Sequence, residues 1–189
     1  MFLEPKPSID EIVKRCKAGQ RKAHEQLYKL FASKMLGVCM RYATDKMEAE
    51  DMLQNGFIKV FVKIEDYRGE GSFEGWMRRI MVHSSIEYYR KHHKMMQVVD
   101  FEEAGQEPSV NAAAASSLEV KDLLQLIKGL SPGYRMVFNL YAIDGYSHKE
   151  IAEIAGITEG ASKSQLSRAR AILKEQILKM EGKKYEYAG

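Results

Sequence analysis

Along almost the whole chain the apolar residues recur at i, i+3 and i+4, the period of an amphipathic helix, and nothing in the pattern asks for strands. The fold class this predicts is all-α. Ser8 and Glu11 make a capping-box signature ahead of Ile9, Ile12, Val13 and Cys16, and Gly19 closes that first helix. A second helix is predicted through Leu27, Leu30, Phe31, Met35, Val38, Cys39 and Tyr42. A third, from about Glu48, buries Ala49, Leu53, Phe57, Val60, Phe61 and Ile64 on one stripe. In "DYRGEGSFEGWMRRI", Gly69 and Gly71 break the period, and Ser72 is placed to cap a fourth helix burying Phe73, Trp76, Met77 and Ile80.

Near the other end, Ser147 and Glu150 form a capping box for a short helix with Ile151, Ala152 and Ala155 inward. Gly156 supplies a tight turn, and Thr158 caps a further helix from about Glu159 that uses Leu166, Ala169 and Leu173 to hold its own domain. The pattern is that of a helix-turn-helix, although any short helical hairpin with a central glycine fits it.

Composition narrows the class. The chain has 189 residues, 45% hydrophobic and 29% charged, as expected of a soluble globular protein of two small domains. No apolar run approaches the roughly 20 residues of a membrane span, and "MFLEPKPSIDEIVKRC" lacks a signal-peptide core, so a cytoplasmic protein without membrane insertion is expected. Cys16 and Cys39 fall at helix-spaced apolar positions and read as small buried hydrophobes, with no CxxC pair to hold zinc. No cofactor or metal is called for.

The net charge of +3 decides little, but its distribution decides more. Between Met95 and Val120 stand five acidic residues (Asp100, Glu102, Glu103, Glu107, Glu119) and no basic ones, around Pro108 and "NAAAASS". Residues 95–117 therefore read as a linker between a domain over 8–94 and another over 118–181. From Gly160 to Lys174 the balance reverses, with Lys163, Arg168, Arg170 and Lys174 and no acid.

Two faces of the first domain exceed what a core needs. On the third helix Asp51, Asn55, Ile58 and Val62 fall together on the side away from the buried stripe. On the fourth, Arg78, Arg79, His83, Tyr89 and Arg90 stand off the apolar stripe. Cations interleaved with aromatics suit single-stranded nucleic acid, though Tyr88 and Tyr89 also fit amphipathic rim positions, and Trp76 fits the core better than a stacking platform. An enzyme is a poor reading. His92 and His93 are adjacent and point apart on a helix, no HExxH occurs, and Glu102 and Glu103 lie in the linker.

Taken in order, "AEDMLQNGFIKVF", "YRGEGSFEGWMRRI" and "LSPGYRMVFNLYAIDGYSHKEIAEIAGITEGASKSQLSRAR" resemble the docking helix, the promoter-melting region and the distant DNA-binding region of the sigma-70 family, in its small two-domain extracytoplasmic-function (ECF) type. The resemblance spans roughly residues 8 to 180. It implies a sigma factor with core RNA polymerase, promoter DNA and an anti-sigma factor as partners, acting by binding and strand capture without catalysis. Polymerase docking would fall to Asp51, Gln54, Asn55 and Ile58. The upstream melted element would be held by Tyr67, Arg68, Gly69, Gly71, Ser72, Phe73, Arg78, Arg79, His83 and Arg90. The distant duplex element would be read by Lys163, Ser164, Gln165 and Ser167, with Arg168 and Arg170 on the groove wall or backbone.

Some positions depart from the family pattern. Ser162 stands where an apolar residue is common, which implies slightly weaker helix packing, Gln165 where an arginine is common, and Val82 and His83 where an Arg-Asn pair is common. A glutamine amide pairs with adenine whereas arginine prefers guanine, so a different base preference is implied at Gln165. The rival reading is a helix-turn-helix regulator that never touches polymerase. It accounts for the C-terminal motif but not for the Ile58 and Val62 face or the glycine loop.

Overall fold

Asp45 starts the helix around which the first half of the protein is organised. Its carboxylate accepts the Glu48 backbone N–H at 2.8 Å, and Glu48 in turn accepts the Thr44 N–H and hydroxyl, both at 2.6 Å, which closes the approach to the helix. The computed structural model describes residues 7–92 and 120–186; the acidic linker, residues 95–117, lies outside them. In chain order come α1 (Ile9–Lys17), α2 (Arg21–Cys39), α3 (Lys46–Val62), a 3₁₀ turn (Ile64–Asp66), α4 (Phe73–His92), α5 (Val120–Lys128), α6 (Pro132–Phe138), a wide turn (Asn139–Ile143), α7 (His148–Ala155) and α8 (Glu159–Glu186). No strand occurs among the described residues, and the fold is all-α.

The chain divides into two compact units, Met1–His93 and Lys94–Gly189. In the first, α3 packs on α2 and α4 around Leu27, Met35, Met52, Val60, Met77, Met81, Val82 and Ile86, all fully buried. Methionine suits such a centre because its unbranched thioether fills irregular gaps. The helices approach closely where α3 carries Gly56, since a β-carbon there would collide with the Met81 sulfur. Cys16 and Cys39 are buried free thiols, and burial pushes the Cys39 thiol up to about 11.

Most expected boundaries hold. The Glu11 N–H donates to Ser8 Oγ at 3.2 Å and Gly19 takes the left-handed conformation after α1. The second helix is shorter than its apolar pattern suggests: α2 stops at Cys39, and Tyr42 is buried from the turn that follows, where the Tyr42 and Ala43 N–H groups both donate to the Cys39 carbonyl. Phe61, Trp76 and Ile80 are half-buried rather than enclosed, while Met52 joins the α3 core stripe.

The second unit is built on α8. Ala169 and Leu173 pack against Ile127 and Leu130, with Leu126, Tyr134, Phe138 and Ile172 around them, and Leu166 is buried on the same helix. Between α6 and α7 the backbone widens into a π-type turn in which the Asp144 N–H donates to the Asn139 carbonyl at 2.9 Å.

Candidate functional site

Three surfaces carry the chemistry. The first is the outer face of α3, where Met47, Asp51, Gln54, Asn55, Ile58 and Val62 fall within about 100° of arc and all are exposed. The three large apolar members are far from any core, at 73% exposure for Met47, 61% for Ile58 and 76% for Val62. Met47 is absent from the sequence-based set, although its spacing of four residues before Asp51 places it on the same stripe. Two of the polar members make hydrogen bonds. The Asn55 side-chain amide donates to the Asp51 carbonyl at 2.9 Å, and the Tyr88 hydroxyl on α4 donates to the Asp51 carboxylate at 3.1 Å. Burial and that carboxylate hold the Tyr88 hydroxyl above its ordinary value.

The second surface is the loop from Tyr67 to Ser72 with the basic face of α4. Gly69 and Gly71 have φ of 80° and 82°, a region open to glycine at little cost, and the Tyr67 hydroxyl donates to the Gly71 carbonyl at 2.9 Å, closing the loop. Ser72 caps α4 through the Gly75 N–H at 3.0 Å. Arg68, Gly69, Gly71, Ser72, Arg78, Arg79, His83 and Arg90 are exposed. Tyr67 and Phe73, expected to help hold the melted element, are buried, so their rings offer little surface to an unpaired base. Phe73 is 4% exposed, Tyr67 packs edge-on against it at 5.0 Å, and Phe31 and Trp76 cover the remaining sides. Their work is to anchor the loop. Of this aromatic cluster only Trp76 keeps part of its surface in solvent. Partial desolvation of the ring against α4's surroundings, and then the charges of Arg79, Lys63 and Lys59, hold the His83 imidazole below its ordinary value.

The third surface belongs to the helix-turn-helix. Its predicted joints are present: the reciprocal capping box of Ser147 and Glu150, Gly156 at φ 70°, and Thr158 accepting the Ala161 N–H at 3.0 Å. Lys163, Ser164, Arg170 and Lys174 are exposed, and Ser167 and Arg168 are half-buried. Arg168 and Arg170 lie about 200° apart around α8, one on each flank of the outward face. Gln165 is different. It stands about 60° from the buried stripe, half-buried, with its Oε1 enclosed and unpartnered among the described residues. As folded, the amide is turned toward the domain, so reading a base requires it to rotate outward.

Ser162, where the family pattern is commonly apolar, meets a polar partner. It is fully buried, and its hydroxyl shares a 2.9 Å hydrogen bond with His148 Nδ1 at the start of α7. The His148 ring stacks on Tyr141 at 4.6 Å, and the Arg170 guanidinium lies 5.6 Å from the Tyr141 ring centre. A polar pair thus ties the two helices of the motif together.

Comparison with known proteins shows the family to which the chain belongs. The sigma-70 region 2 family model matches residues 27–95, and the sigma-70 region 4 model matches residues 121–173. The ECF RNA polymerase sigma factor SigW of Bacillus subtilis (strain 168) is 30% identical over 181 residues, covering 89% of this chain and 96% of that one. The chain belongs to the ECF RNA polymerase sigma factors. SigM of the same organism is 29% identical over 157 residues, covering 79% of this sigma factor and 92% of its relative. Among solved structures, the sigma factor RpoE in complex with the anti-sigma factor NepR from Bartonella quintana shares the fold, with a TM-score of 0.50 at 24% identity over 81% of this chain and 95% of that one. As a sigma factor the protein binds core RNA polymerase and directs promoter recognition, promoter melting and transcription initiation. No helix among the described residues is long and apolar enough to cross a membrane.

Proposed function

We propose that this sigma factor divides its work among the three surfaces, and the observation that carries the reading is the exposed apolar stripe of α3. Met47, Ile58 and Val62 stand in water on a helix whose opposite face already satisfies the core, an arrangement that gains free energy when a protein partner covers it. Core polymerase is that partner, with Asp51, Gln54 and Asn55 setting register around the apolar contact. The loop over Arg68–Ser72 and the α4 side chains Arg78, Arg79, His83 and Arg90 hold the non-template strand of the upstream melted element with a base turned out of the stack, a step costing a few kcal/mol that pocket contacts offset. Trp76 is the ring best placed to meet an unpaired base. On the distant duplex, Lys163, Ser164 and Ser167 face the major groove while Arg168 and Arg170 meet phosphates on either side.

The chain acts in the cytoplasm and supplies binding and strand capture, leaving bond formation to the polymerase. An anti-sigma factor belongs to the same reading, because a protein that covers the α3 stripe withholds it from polymerase. The test is Gln54→Ala with Ile58→Asp in the full-length chain. Loss of core polymerase binding at wild-type helicity is expected, and unchanged binding overturns the docking assignment.

A further inference from the structure

We infer that Lys17, on α1, is a positioning residue for the strand-capture loop. The inference rests on the reading of that loop given above. Lys17 lies before the residues matched by the region 2 model, yet its ammonium reaches across to the entrance of the loop, donating to the Tyr67 carbonyl at 2.7 Å and standing 3.4 Å from the Glu65 carbonyl. These carbonyls end the 3₁₀ turn Ile64–Asp66, where oxygens have no partner further along the helix and a positive charge is favoured. A compact ammonium with three donors can serve two such oxygens at once.

The contact continues into the loop. Tyr67, whose carbonyl Lys17 holds, is also the residue whose hydroxyl donates to the Gly71 carbonyl and whose ring is wedged against Phe73 and Trp76. Lys17 thus fixes the base of the loop and Tyr67 fixes its tip, so the exposed Arg68–Ser72 segment between them has its course set from both ends. Lys17 is itself firmly placed. Ile12, Val13 and Cys16 bury the inner side of α1, and the His24 ring on α2 shares a 3.2 Å hydrogen bond with the Cys16 carbonyl and packs on Phe61 of α3 at 4.7 Å. A loop with two left-handed glycines loses much conformational freedom when ordered. Ordering it in the free protein removes that cost from the step in which DNA is captured.

The test uses the full-length chain assembled with core polymerase. The probe is a fluorescent single strand carrying the non-template sequence of a promoter selected by the wild-type holoenzyme. Lys17→Met is expected to weaken single-strand binding by about tenfold, as for loss of a charge-assisted hydrogen bond, with polymerase affinity and duplex binding unchanged. Lys17→Arg, which keeps charge and donors, is expected to restore most of the loss. Gly71→Val tests the loop reading by itself. If Gly71→Val impairs capture and Lys17→Met does not, the positioning role is overturned. If neither impairs it, the loop reading falls and the inference with it. If Lys17→Met lowers the melting temperature and weakens polymerase, duplex and single-strand binding alike, Lys17 serves only the fold and the inference is overturned.

Discussion

The outer faces of α3 and α8 make an instructive pair. Both belong to helices whose opposite side packs a core. On α3 the excess is large and apolar, in Met47, Ile58 and Val62; on α8 it is small, polar or cationic, in Lys163, Ser164, Arg170 and Lys174. An apolar stripe gains free energy by leaving water, so it suits a protein surface that excludes solvent and depends little on salt. A cationic face beside small side chains gains by releasing counterions and lets a helix approach a groove closely, so it suits duplex DNA and weakens as salt rises. The same secondary structure thus addresses two classes of partner, according to what is left over after the core is satisfied.

The strongest way to break the comparison is a charge on the apolar side. Gln54→Ala with Ile58→Asp should cost on the order of 3 kcal/mol or more in polymerase affinity, with little dependence on salt. A loss that grows steeply with salt in titrations would show that α3 binds by charge after all. On the other face, Arg168→Ala and Arg170→Ala should each weaken duplex binding by about 1 to 2 kcal/mol across sequences and reduce the salt slope by about one. An unchanged slope in fluorescence anisotropy would remove that arginine from the phosphate contacts.

The inner side of α8 offers a sharper contrast. Ser162→Ala should lower the stability of the C-terminal unit by about 1 kcal/mol because it leaves His148 without the hydroxyl. Gln165→Leu should hold or raise stability, since it replaces an enclosed unpartnered amide oxygen. Thermal unfolding of the two variants checks the pair, and equal destabilisation would contradict it. In a selection from randomised duplexes, Gln165→Leu should change the preference at one position, and an unchanged preference removes Gln165 from the base contacts.

The smallest effect concerns pH. Partial desolvation and the neighbouring Arg79, Lys63 and Lys59 favour the neutral His83 imidazole in the fold. Its contribution to stability is therefore present above the ordinary value of 6.5 and is lost as pH falls through that range. A phosphate on α4 would reverse the local balance, so single-strand capture by the holoenzyme should take up protons as pH falls from about 7 to about 5.5. His83→Gln should flatten that dependence in binding measured across pH.

Much of this was legible in the sequence because it is local. Caps, helix-breaking glycines and the period of apolar residues act within a turn or two of chain, so the helix-turn-helix joints at Ser147, Gly156 and Thr158 and the outward Ile58 and Val62 follow from spacing alone. Family-specific motif order then separated a polymerase subunit from a DNA-binding regulator, which no periodicity can do. Met47 was within reach of the same spacing argument, one turn before Asp51.

What only the tertiary structure decided is which side of each residue is covered, and by what. Tyr67 and Phe73 stand beside a glycine loop and look free for stacking until Phe31, from α2, and Trp76 are seen closing over them. Gln165 has groove-facing neighbours in sequence, but its amide oxygen is enclosed by the domain. Ser162 looks like a packing defect until His148, 14 residues earlier, is found within hydrogen-bond distance. Lys17 meets the Tyr67 carbonyl across 50 residues of sequence, a contact set by how α1 lies on α2 and the 3₁₀ turn. Helical periodicity fixes the direction in which a side chain leaves its own axis, whereas burial and hydrogen bonding depend on the neighbouring elements that pack against it.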